Sequence, residues 1–263
     1  MVANVDIHHS AIIEDGAEIG DGTSVGPFCF VGSKVRLGQN VELKSHVVIK
    51  GDTFLGDENT VFPFAVLGEI PQDKKFNGES TSLIIGNRNQ IREHVTINVG
   101  TRGGGGITKV GNDGLFMAGC HIAHDAQVGD NVILVNNAAL AGHCVIEDNV
   151  IVGGLSGVHQ FVRVGEGAII GAVTMVTNDV IPYGLVQAPR GELDGLNLVG
   201  LKRKGVARAD IMALRAAFQT LSQGEGTFQD RAQKLTDDSD SKYVEKIVSF
   251  VLGHSDRSFL TPR

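Results

Sequence analysis

The sequence predicts a mainly β protein, in which a parallel β-solenoid of six-residue units is followed by a small α-helical C-terminal domain. Three observations carry this prediction. An apolar residue recurs every six positions over most of the chain, glycine is abundant at 35 of 263 residues, and a helical apolar pattern begins only near Ala207. A six-residue unit is too short for a helix pair but suits a short strand and a turn, and stacked units share one continuous core.

The six-residue series begins at Ile7 and is interrupted twice before it ends at Val176. Its members are Ile7, Ile13, Ile19, Val25, Val31, Leu37, Leu43, Ile49, Leu55, Val61, Leu67, Ile85, Ile91, Ile97, Val110, Phe116, Ile122, Val128, Leu134, Leu140, Ile146, Val152, Val158, Val164, Ile170 and Val176. Chance does not produce a series of this length, so these side chains are predicted to form the core.

The fifth place of each unit is also restricted, because it holds small or β-branched residues. Cys29, Cys120 and Cys144 all occupy such places and are predicted to be core thiols. Their odd number and wide spacing do not suggest a disulfide framework or a zinc pair. Glycine often follows the apolar position, as at Gly20, Gly26, Gly32, Gly38 and Gly56, where we expect it to supply the backbone angles of a tight corner.

The two interruptions, 68–84 and 98–109, are polar or glycine-rich and are predicted to leave the solenoid as loops. Loops on a rigid scaffold often carry function, so both are candidate site segments. The solenoid domain is predicted to span 1–190 and the helical domain 191–263. Within the latter, apolar residues share one helix face after Ala207, Thr227 and Asp230 form a capping-box pattern, and a last helix covers roughly 240–252.

Composition excludes several classes of protein. The formal net charge of −7 argues against a general nucleic-acid surface. The N-terminal segment has no basic region followed by a long apolar run, and no stretch approaches the length of a membrane span. Together with the cysteine pattern, these features favour a protein of the reducing cytoplasm.

The repeat unit, as in "IGDGTS" and "VGDNVI", resembles that of the hexapeptide-repeat acyltransferase superfamily. That resemblance implies a left-handed parallel β-helix with three of these units in each coil; the period alone does not give the handedness. It also implies a homotrimer with active sites between neighbouring subunits.

With three units per coil, positions that are three units apart in the sequence stack in one column. His124 then lies below Gly142 and Gln160, while Asp125 lies below His143 in the next column. Four of the nine histidines, His121, His124, His143 and His159, fall within three successive coils.

We considered three interpretations of this cluster. Solvated polar turns are the plainest. A zinc site is the second, since the spacing of His121 and His124 permits it and the γ-class carbonic anhydrases of the same superfamily bind zinc through three histidines; no further metal-binding signature supports it. Acid–base catalysis is favoured, with His124 accepting a proton and Asp125 orienting its ring, which requires both residues to lie on a turn.

A set of longer motifs narrows the resemblance to one family. These are "HIAHD" (121–125), "LAGH" (140–143), "VHQF" (158–161), "QDKKF" (72–76), "GGGITKVG" (104–111) and "NLVGLKRKG" (197–205). In this order they resemble the UDP-N-acetylglucosamine acyltransferase family over essentially the full length. The resemblance implies transfer of a 3-hydroxyacyl chain from acyl carrier protein to the 3-position of the UDP-sugar, the first step of lipid A biosynthesis, without a cofactor or metal.

The resemblance also implies roles for individual residues. His124 is the general base, Asp125 orients it, and the backbone N–H of Gly142 stabilises the oxyanion. The substrate-binding residues are Gln72, Asp73, Lys75, His121, His143, His159, Gln160, Asn197 and Arg203.

Some positions depart from the common pattern of the family. Asn98 stands where histidine is common, Val199 replaces a glutamate and Lys204 replaces a second arginine, which leaves a 3-amino sugar open as the acceptor. Ala172 and Arg190 replace a glycine and a histidine near the expected end of the acyl chain, which leaves its length open.

Three other functions remained under consideration. The related N-acyltransferase of the same pathway has an additional N-terminal domain, whereas the period here begins at Ile7. A coenzyme A-dependent acetyltransferase fits the "QDKKF" segment and the helical tail poorly. A non-catalytic scaffold or ligand-binding module does not explain the clustered histidines.

Overall fold

The predicted left-handed parallel β-helix with a helical C-terminal domain is confirmed. The computed structural model describes residues 4–187, 191–223, 225–236, 240–255 and 257–262. Short strands stack into three sheets, which form the faces of a three-sided prism and are here called A, B and C in the order in which the chain visits them.

The strands on each face are parallel except for the last one on face A. Face A contains Asp6–Ile7, Ser24–Val25, Glu42–Leu43, Thr60–Val61, Gln90–Ile91, Leu115–Phe116, Ile133–Leu134, Ile151–Val152, Ile169–Ile170, Gly184–Gln187 and Glu192–Leu196. Face B contains Ile12–Ile13, Phe30–Val31, Val48–Ile49, Val66–Glu69, Thr96–Asn98, His121–Ile122, Ala139–Leu140, Gly157–Val158 and Met175–Val176. Face C contains Glu18–Ile19, Arg36–Leu37, Asp52–Leu55, Ser82–Ile85, Ile107–Val110, Gln127–Val128, Val145–Ile146 and Arg163–Val164.

The turns between faces form three edges of the prism. Corner AB includes Phe28 and Phe64, corner BC includes His124 and Asp125, and corner CA includes Gly167. Neighbouring coils are offset by three six-residue units, as in the pairing of His121 with Ala139.

The predicted core is confirmed, because every member of the six-residue series from Val25 to Val176 is buried. Ile7 is exposed, and Ile13 and Ile19 are half-buried, because the first coil has a neighbouring coil on only one side among the described residues. The three cysteines are unpaired and buried. Burial raises the thiol pKa of Cys120 to about 11 and that of Cys144 to about 12.

The two predicted loops leave the coil, although they are shorter than the sequence indicated. Leu55 pairs with Ile85, so the first loop lengthens its coil by two whole six-residue units. Ile85 pairs with Val110, so the second loop lengthens its coil by one unit and one further residue. The ends of both predicted segments pair within faces B and C, which leaves 70–81 and 99–106 outside the strands. An insertion of whole six-residue units does not change the register of the repeat. This explains why only the second loop shifts the six-residue series.

The expected reason for the repeated glycines was wrong. Gly20, Gly26 and Gly56 do not have a positive φ. A Cβ on Gly26 would instead lie 2.6 Å from the carbonyl oxygen of Lys44 in the next coil. Positive φ angles belong to the second residue of most turns, for example Phe28 at 58°. Glycine therefore occurs at these positions because successive coils approach each other closely.

The last strands of face A form an antiparallel hairpin of Gly184–Gln187 and Glu192–Leu196, so this sheet continues beyond residue 190. Four helices follow: α1 (Leu198–Arg203), α2 (Arg208–Ser222), α3 (Phe228–Lys234) and α4 (Lys242–Leu252). The predicted helices correspond to α2, α3 and α4, and the capping box at Thr227 is present. The sequence did not indicate α1. Within the described ranges, no helix has the length and apolar character needed to cross a membrane.

Candidate active site

His124 and Asp125 occupy the turn at corner BC, where they form a hydrogen-bonded pair. His124 Nδ1 lies 2.8 Å from Asp125 Oδ2. Adjacent residues of a strand point apart, but Asp125 has a φ of 61°, and this turn conformation lets its carboxylate reach back to the preceding ring. The carboxylate is fully buried, whereas the His124 side chain remains 16% exposed. A buried carboxylate thus holds a histidine that still reaches the surface.

The glycine-rich loop 99–106 fixes Asp125 from the other side. The backbone N–H of Thr101 donates to Asp125 Oδ1 at 2.8 Å, and the Thr101 hydroxyl donates to Oδ2 at 2.6 Å. Asp125 N–H in turn donates to the Thr108 hydroxyl at 2.8 Å. A Cβ on Gly104 would lie 2.1 Å from the carboxyl carbon of Asp125, so only glycine permits this close approach. Thr101 and Thr108 were not among the residues predicted for the site.

The next two coils place Gly142 and His143, and then Gln160 and Phe161, above this pair. A Cβ on Gly142 would lie 2.6 Å from Cε1 and 2.7 Å from Nε2 of His124. The N–H groups of both neighbours of Gly142 donate to adjacent coils, whereas that of Gly142 has no acceptor among the described residues. A backbone donor therefore lies free beside the outer nitrogen of His124.

Two further histidines, His121 and His143, flank His124, and burial favours their neutral forms. His143 Nδ1 lies 3.8 Å from Asp125 Oδ2, and its ring stacks on Phe161 with centroids 4.4 Å apart. Burial lowers the pKa of His143, although the Asp125 charge opposes this shift. Burial also lowers the pKa of His121, whose Nδ1 lies 2.7 Å from the Thr96 hydroxyl. Near pH 7 both rings can therefore bind polar groups without adding positive charge beside the base.

A groove of about 470 Å³ runs from this cluster along face B. The end of the groove beside Gln72 and Asn98, here called the lower end, is polar. The upper end, beside Val158 and Met175, is mainly apolar. The lining residues are Gln72, Asn98, His121, Ala123, His124, Ala139, Leu140, Ala141, Gly142, Gly157, Val158, His159 and Met175. Such a shape suits a ligand with a polar head and an aliphatic tail.

The first loop supplies charged side chains to the same corner. Asp73 and Lys75 line a smaller cavity of about 310 Å³ together with His143, Phe161 and Thr101. The structure thus brings the predicted Gln72, Asp73 and Lys75 beside the histidine cluster.

Asn98 leaves one polar atom without a partner at the polar end of the groove. Its side-chain amide N–H groups donate to the carbonyl oxygens of Glu69 and Ile70 at 3.3 and 3.1 Å. Both partners are acceptors, which fixes the orientation of the amide. Its Oδ1 is buried without a hydrogen-bond partner among the described residues.

Two predicted residues lie elsewhere. Asn197 caps helix α1 by accepting the N–H of Gly200 at 2.9 Å, and it donates to the carbonyl oxygen of Gly167 at 3.1 Å. Gly167 belongs to corner CA, at the opposite edge of face C from His124. Arg203 is exposed at the end of the same helix. One copy of the chain therefore does not bring Asn197 and Arg203 together with His124.

The remaining predicted residues lie at the upper end of the groove or outside it. His159 lines the groove, while Gln160 is exposed on corner BC and its carbonyl oxygen accepts from Arg257 at 3.1 Å. Ala172 is exposed on corner AB and does not line the groove. Arg190 lies outside the described residues. Met175 occupies the apolar end instead, and the sequence analysis missed it although it stands one coil after Gly157.

The cluster was also tested as a metal site. His124, Asp125 and His143 offer ligand atoms within 4.8 Å of one another. His124 Nδ1 and Asp125 Oδ2 are 2.8 Å apart, which is a hydrogen-bond distance; two ligands of a tetrahedral zinc ion would lie about 3.4 Å apart. The same carboxylate oxygen also accepts the Thr101 hydroxyl. The geometry favours a hydrogen-bonded pair.

Comparisons with known proteins agree on one family. A profile described as bacterial transferase hexapeptide (six repeats) matches residues 16–51, and one described as UDP N-acetylglucosamine O-acyltransferase, domain 2, matches residues 179–260. The chain is 66% identical to the acyl-(acyl-carrier-protein)–UDP-N-acetylglucosamine O-acyltransferase of Paracoccus denitrificans over 77% of each chain. It is 47% identical to the protein of that name from Aliarcobacter butzleri, over 94% of this chain and 95% of the relative. The structure of LpxA from Acinetobacter baumannii matches with a TM-score of 0.94 and 36% identity, over 97% of this chain and 99% of the other.

Proposed function

This chain belongs to the UDP-N-acetylglucosamine O-acyltransferase family and is an acyltransferase; we propose that it transfers a 3-hydroxyacyl group from acyl carrier protein to the 3-hydroxyl of UDP-N-acetylglucosamine, the first step of lipid A biosynthesis, with His124 as general base. The observation that carries the proposed role is the pairing of His124 with buried Asp125 below the free N–H of Gly142. These groups lie at the polar end of a groove whose other end is apolar.

The pairing indicates the tautomer of the His124 ring. A carboxylate accepts hydrogen bonds, so Nδ1 carries the proton that faces Asp125 and Nε2 is left as the acceptor. Nε2 takes the proton of the sugar hydroxyl as its oxygen attacks the thioester carbonyl carbon. The imidazolium that forms is stabilised by the Asp125 charge, 2.8 Å away.

The attack converts the carbonyl oxygen to an oxyanion. The N–H of Gly142 stabilises that charge, because it is already oriented and lacks another acceptor among the described residues. When the tetrahedral intermediate collapses, the carbon–sulfur bond breaks. His124 then returns its proton to the leaving thiolate of the carrier protein, so the ester and the free thiol are the products and the base is regenerated.

The two ends of the groove are proposed to bind different parts of the substrates, the sugar at one end and the acyl chain at the other. Gln72, His121 and Asn98 surround the polar end and are proposed to bind the sugar. Asp73 and Lys75 extend that polar surface at corner BC. The acyl chain lies along Ala139 and Gly157, where small residues leave face B open.

The nucleotide site is proposed to be completed by a second copy of the chain. Asn197 and Arg203 are the residues implied for the nucleotide and its phosphates, and they lie at corner CA, away from His124. A ring in which corner CA of one copy meets corner BC of the next would bring them together. A heterologous contact of this kind closes when it is repeated around an axis, and a homotrimer is the proposed closure.

The apolar edge of the prism supports the trimer. If corners BC and CA meet between neighbours, either face C or corner AB of each copy faces the axis of the ring, and the exposed apolar side chains favour corner AB. The column of turn residues at corner AB contains the exposed apolar side chains Phe28, Phe64, Leu155 and Val173, with polar residues such as His46 and Asn137 between them. Phe28 is 62% exposed and Leu155 67% exposed, and a column of this kind along one edge is typical of an interaction surface. Sedimentation should give three times the chain mass of 27.8 kDa.

A cytoplasmic location is part of the proposal. All three cysteines are buried and unpaired. Unpaired cysteines fit a reducing compartment, whereas secreted proteins tend to form disulfides.

A 3-amino sugar nucleotide is a second candidate acceptor, and Asn98 is the observation that favours it. A hydroxyl has one proton, which passes to His124. An amine has two, so that one can pass to His124 while the other is donated to a second acceptor. Asn98 Oδ1 is such an acceptor, without a partner among the described residues, at the same end of the groove.

A transfer assay tests the function and the base together. Acyl carrier proteins with 3-hydroxyacyl chains are offered with UDP-N-acetylglucosamine or with its 3-amino analogue, to wild type, His124→Ala and His9→Ala. His9 is exposed near the start of the chain and serves as the matched control. We expect transfer by wild type and His9→Ala, and a loss of roughly 10²-fold or more in kcat for His124→Ala. Full activity of His124→Ala would contradict the proposed base, and no transfer to either acceptor would contradict the function.

A further inference from the structure

The C-terminal segment returns to the solenoid and is tied to the end of face C by Asp179. This aspartate is fully buried, and its carboxylate accepts a hydrogen bond from the Ser255 hydroxyl. Its backbone N–H donates to the carbonyl oxygen of Ser258, and its own carbonyl oxygen accepts the N–H of Leu260, both at 2.9 Å. The segment is therefore anchored on both sides of Arg257.

These anchors place the Arg257 guanidinium at corner BC, beside the groove. Its Nη2 lies 3.1 Å from the carbonyl oxygen of Gln160 and 3.2 Å from Nδ1 of His159. A guanidinium donates hydrogen bonds and cannot accept them, so both of these atoms act as acceptors. His159 Nδ1 therefore carries no proton, and the ring is a neutral imidazole with its proton on Nε2.

Without Arg257, the same geometry favours the other tautomer. His159 Nδ1 lies 3.3 Å from the carbonyl oxygen of Gln160. Because that oxygen can only accept, a ring without the arginine would place its proton on Nδ1 and donate it to this oxygen. Nε2 would then be an acceptor. Arg257 thus decides which nitrogen of the ring carries the proton.

The tautomer matters because His159 is exposed and lines the groove. Its Nε2 has no hydrogen-bond partner among the described residues, so this nitrogen is available to a ligand. The acyl donor carries carbonyl oxygens, which accept hydrogen bonds and cannot donate them. A ring with its proton on Nε2 can bind such an oxygen, whereas a bare Nε2 would face it as a second acceptor.

We propose that Arg257 is a positioning residue that holds His159 as an Nε2–H donor to a carbonyl oxygen of the acyl donor. This inference rests on the proposed function, because it places the acyl donor in the groove. Arg257 acts through the His159 ring and through the anchored C-terminal segment that carries it.

Nitrogen-15 NMR of histidine-labelled protein tests the tautomer without a substrate. The shifts distinguish a ring nitrogen with a proton from one without, and loss of signals in His159→Phe assigns them. At about pH 8, where histidine side chains are generally neutral, we expect Nε2–H in wild type and Nδ1–H in Arg257→Met. Arg231→Met is the matched control, because Arg231 donates to the carbonyl oxygens of Leu221 and Gly226 in the helical domain. It should leave the His159 signals unchanged.

Steady-state kinetics test what the tautomer does for the reaction. In Arg257→Met we expect the KM for 3-hydroxyacyl carrier protein to rise roughly 2-fold to 10-fold, as for the loss of one neutral hydrogen bond. The kcat and the KM for UDP-N-acetylglucosamine should stay near wild type. Arg257→Lys, which also only donates, should restore part of the lost affinity. In a His159→Phe background, Arg257→Met should cause no further change, because its effect passes through that ring.

Each result decides a separate point. A proton on Nδ1 in wild type would overturn the proposal even if a variant failed to fold, and so would one tautomer shared by wild type and Arg257→Met. Equal changes in KM for Arg257→Met and Arg231→Met would overturn the role in the reaction, as would an undiminished effect of Arg257→Met in the His159→Phe background. Absence of transfer by wild type would instead refute the proposed function, and the NMR spectrum would still decide the tautomer.

Discussion

Asp125 is the residue on which most of the local structure converges. Its backbone adopts a positive φ, its carboxylate is fully buried, and three hydrogen bonds reach that carboxylate, two from Thr101 and one from His124. Burying a carboxylate is costly unless such donors compensate. The arrangement fixes the carboxylate, which in turn fixes the His124 ring.

Thr101 is expected to act as a positioning residue for this pair. Thr101→Val removes the hydroxyl that donates to Asp125 but keeps the backbone N–H and the side-chain shape. A hydrogen bond to a charged group contributes about 1.5–3 kcal/mol, so we expect kcat to fall by roughly 10-fold to 100-fold. KM should change little, because the hydroxyl is directed at Asp125 and not at the groove, and Thr101→Ser should restore kcat.

Thr23→Val is the matched control for Thr101→Val. Thr23 is also buried, and its hydroxyl donates to the carbonyl oxygen of Gly38 at 2.9 Å, several coils from the site. The Thr23 hydroxyl also accepts the N–H of Val41 at 3.1 Å, so this control loses at least as much buried hydrogen bonding as Thr101→Val, but none of it supports the base. Equal losses of kcat in both would show a general effect on folding and would refute the positioning role.

For individual residues, the six-residue period predicted contacts between side chains of stacked coils. It did not predict contacts that depend on how a loop folds. The stacking of Gly142 over His124 follows from a spacing of one coil, and the structure shows it. The contact of Thr101 with Asp125 depends on how residues 99–106 fold back over the corner, which no period describes. The position of Met175, one coil after Gly157, also follows from the period. It was not predicted, because only the inward-facing positions of the repeat were used, and these form the core.

At the scale of the repeat, two kinds of residue make the turn at each corner possible. The glycine that follows many of the strands allows neighbouring coils to approach, and the second residue of most turns adopts a positive φ. The latter is often a non-glycine residue, such as His46 at 59° or Leu155 at 58°. Such conformations cost roughly 1–2 kcal/mol per residue, and the packed core must offset this cost.

The close approach of coils predicts the effect of a single methyl group. Gly26→Ala would place a Cβ 2.6 Å from the carbonyl oxygen of Lys44, so the coils must separate locally. We expect a loss of about 1–3 kcal/mol in the free energy of unfolding, as for other overpacked sites, measured by urea denaturation. Gly195→Ala is the control, because nothing described lies within 4 Å of its added Cβ. A loss no larger for Gly26 than for Gly195 would contradict this explanation of the repeated glycines.

The elements outside the solenoid show the limits of periodic patterns. Helices α2 and α4 bury apolar residues at helical spacing, so the sequence indicated them. Helix α1 has only six residues and buries Leu201 alone, which leaves no periodic signal. Its position depends on the cap by Asn197 and on the bond from that side chain to Gly167.

At the scale of the whole molecule, the candidate site is divided between two edges of the prism. His124 and Asp125 lie at corner BC, while Asn197 contacts Gly167 at corner CA. The resemblance placed all of these residues in sites between neighbouring subunits, but it did not say which residues each copy supplies. The separation follows from the three-sided coil, in which each face stands between two corners.

A divided site predicts complementation between two inactive variants. In the proposed trimer, each site takes His124 from one subunit and Arg203 from its neighbour. His124→Ala and Arg203→Ala should each have little activity as pure proteins. In a trimer reassembled from an equal mixture, each interface has about one chance in four of joining the two intact residues, so we expect activity near a quarter of the wild-type value.

Mixing His124→Ala with Asp125→Ala is the matched control for this complementation. Both changes lie at corner BC of the same subunit, so no interface in that mixture contains an intact pair. The mixture should remain as inactive as its components. A lack of recovery when His124→Ala is mixed with Arg203→Ala would show that the site does not draw these residues from two subunits. Recovery in the control would contradict the placement of His124 and Asp125 in one corner of one subunit.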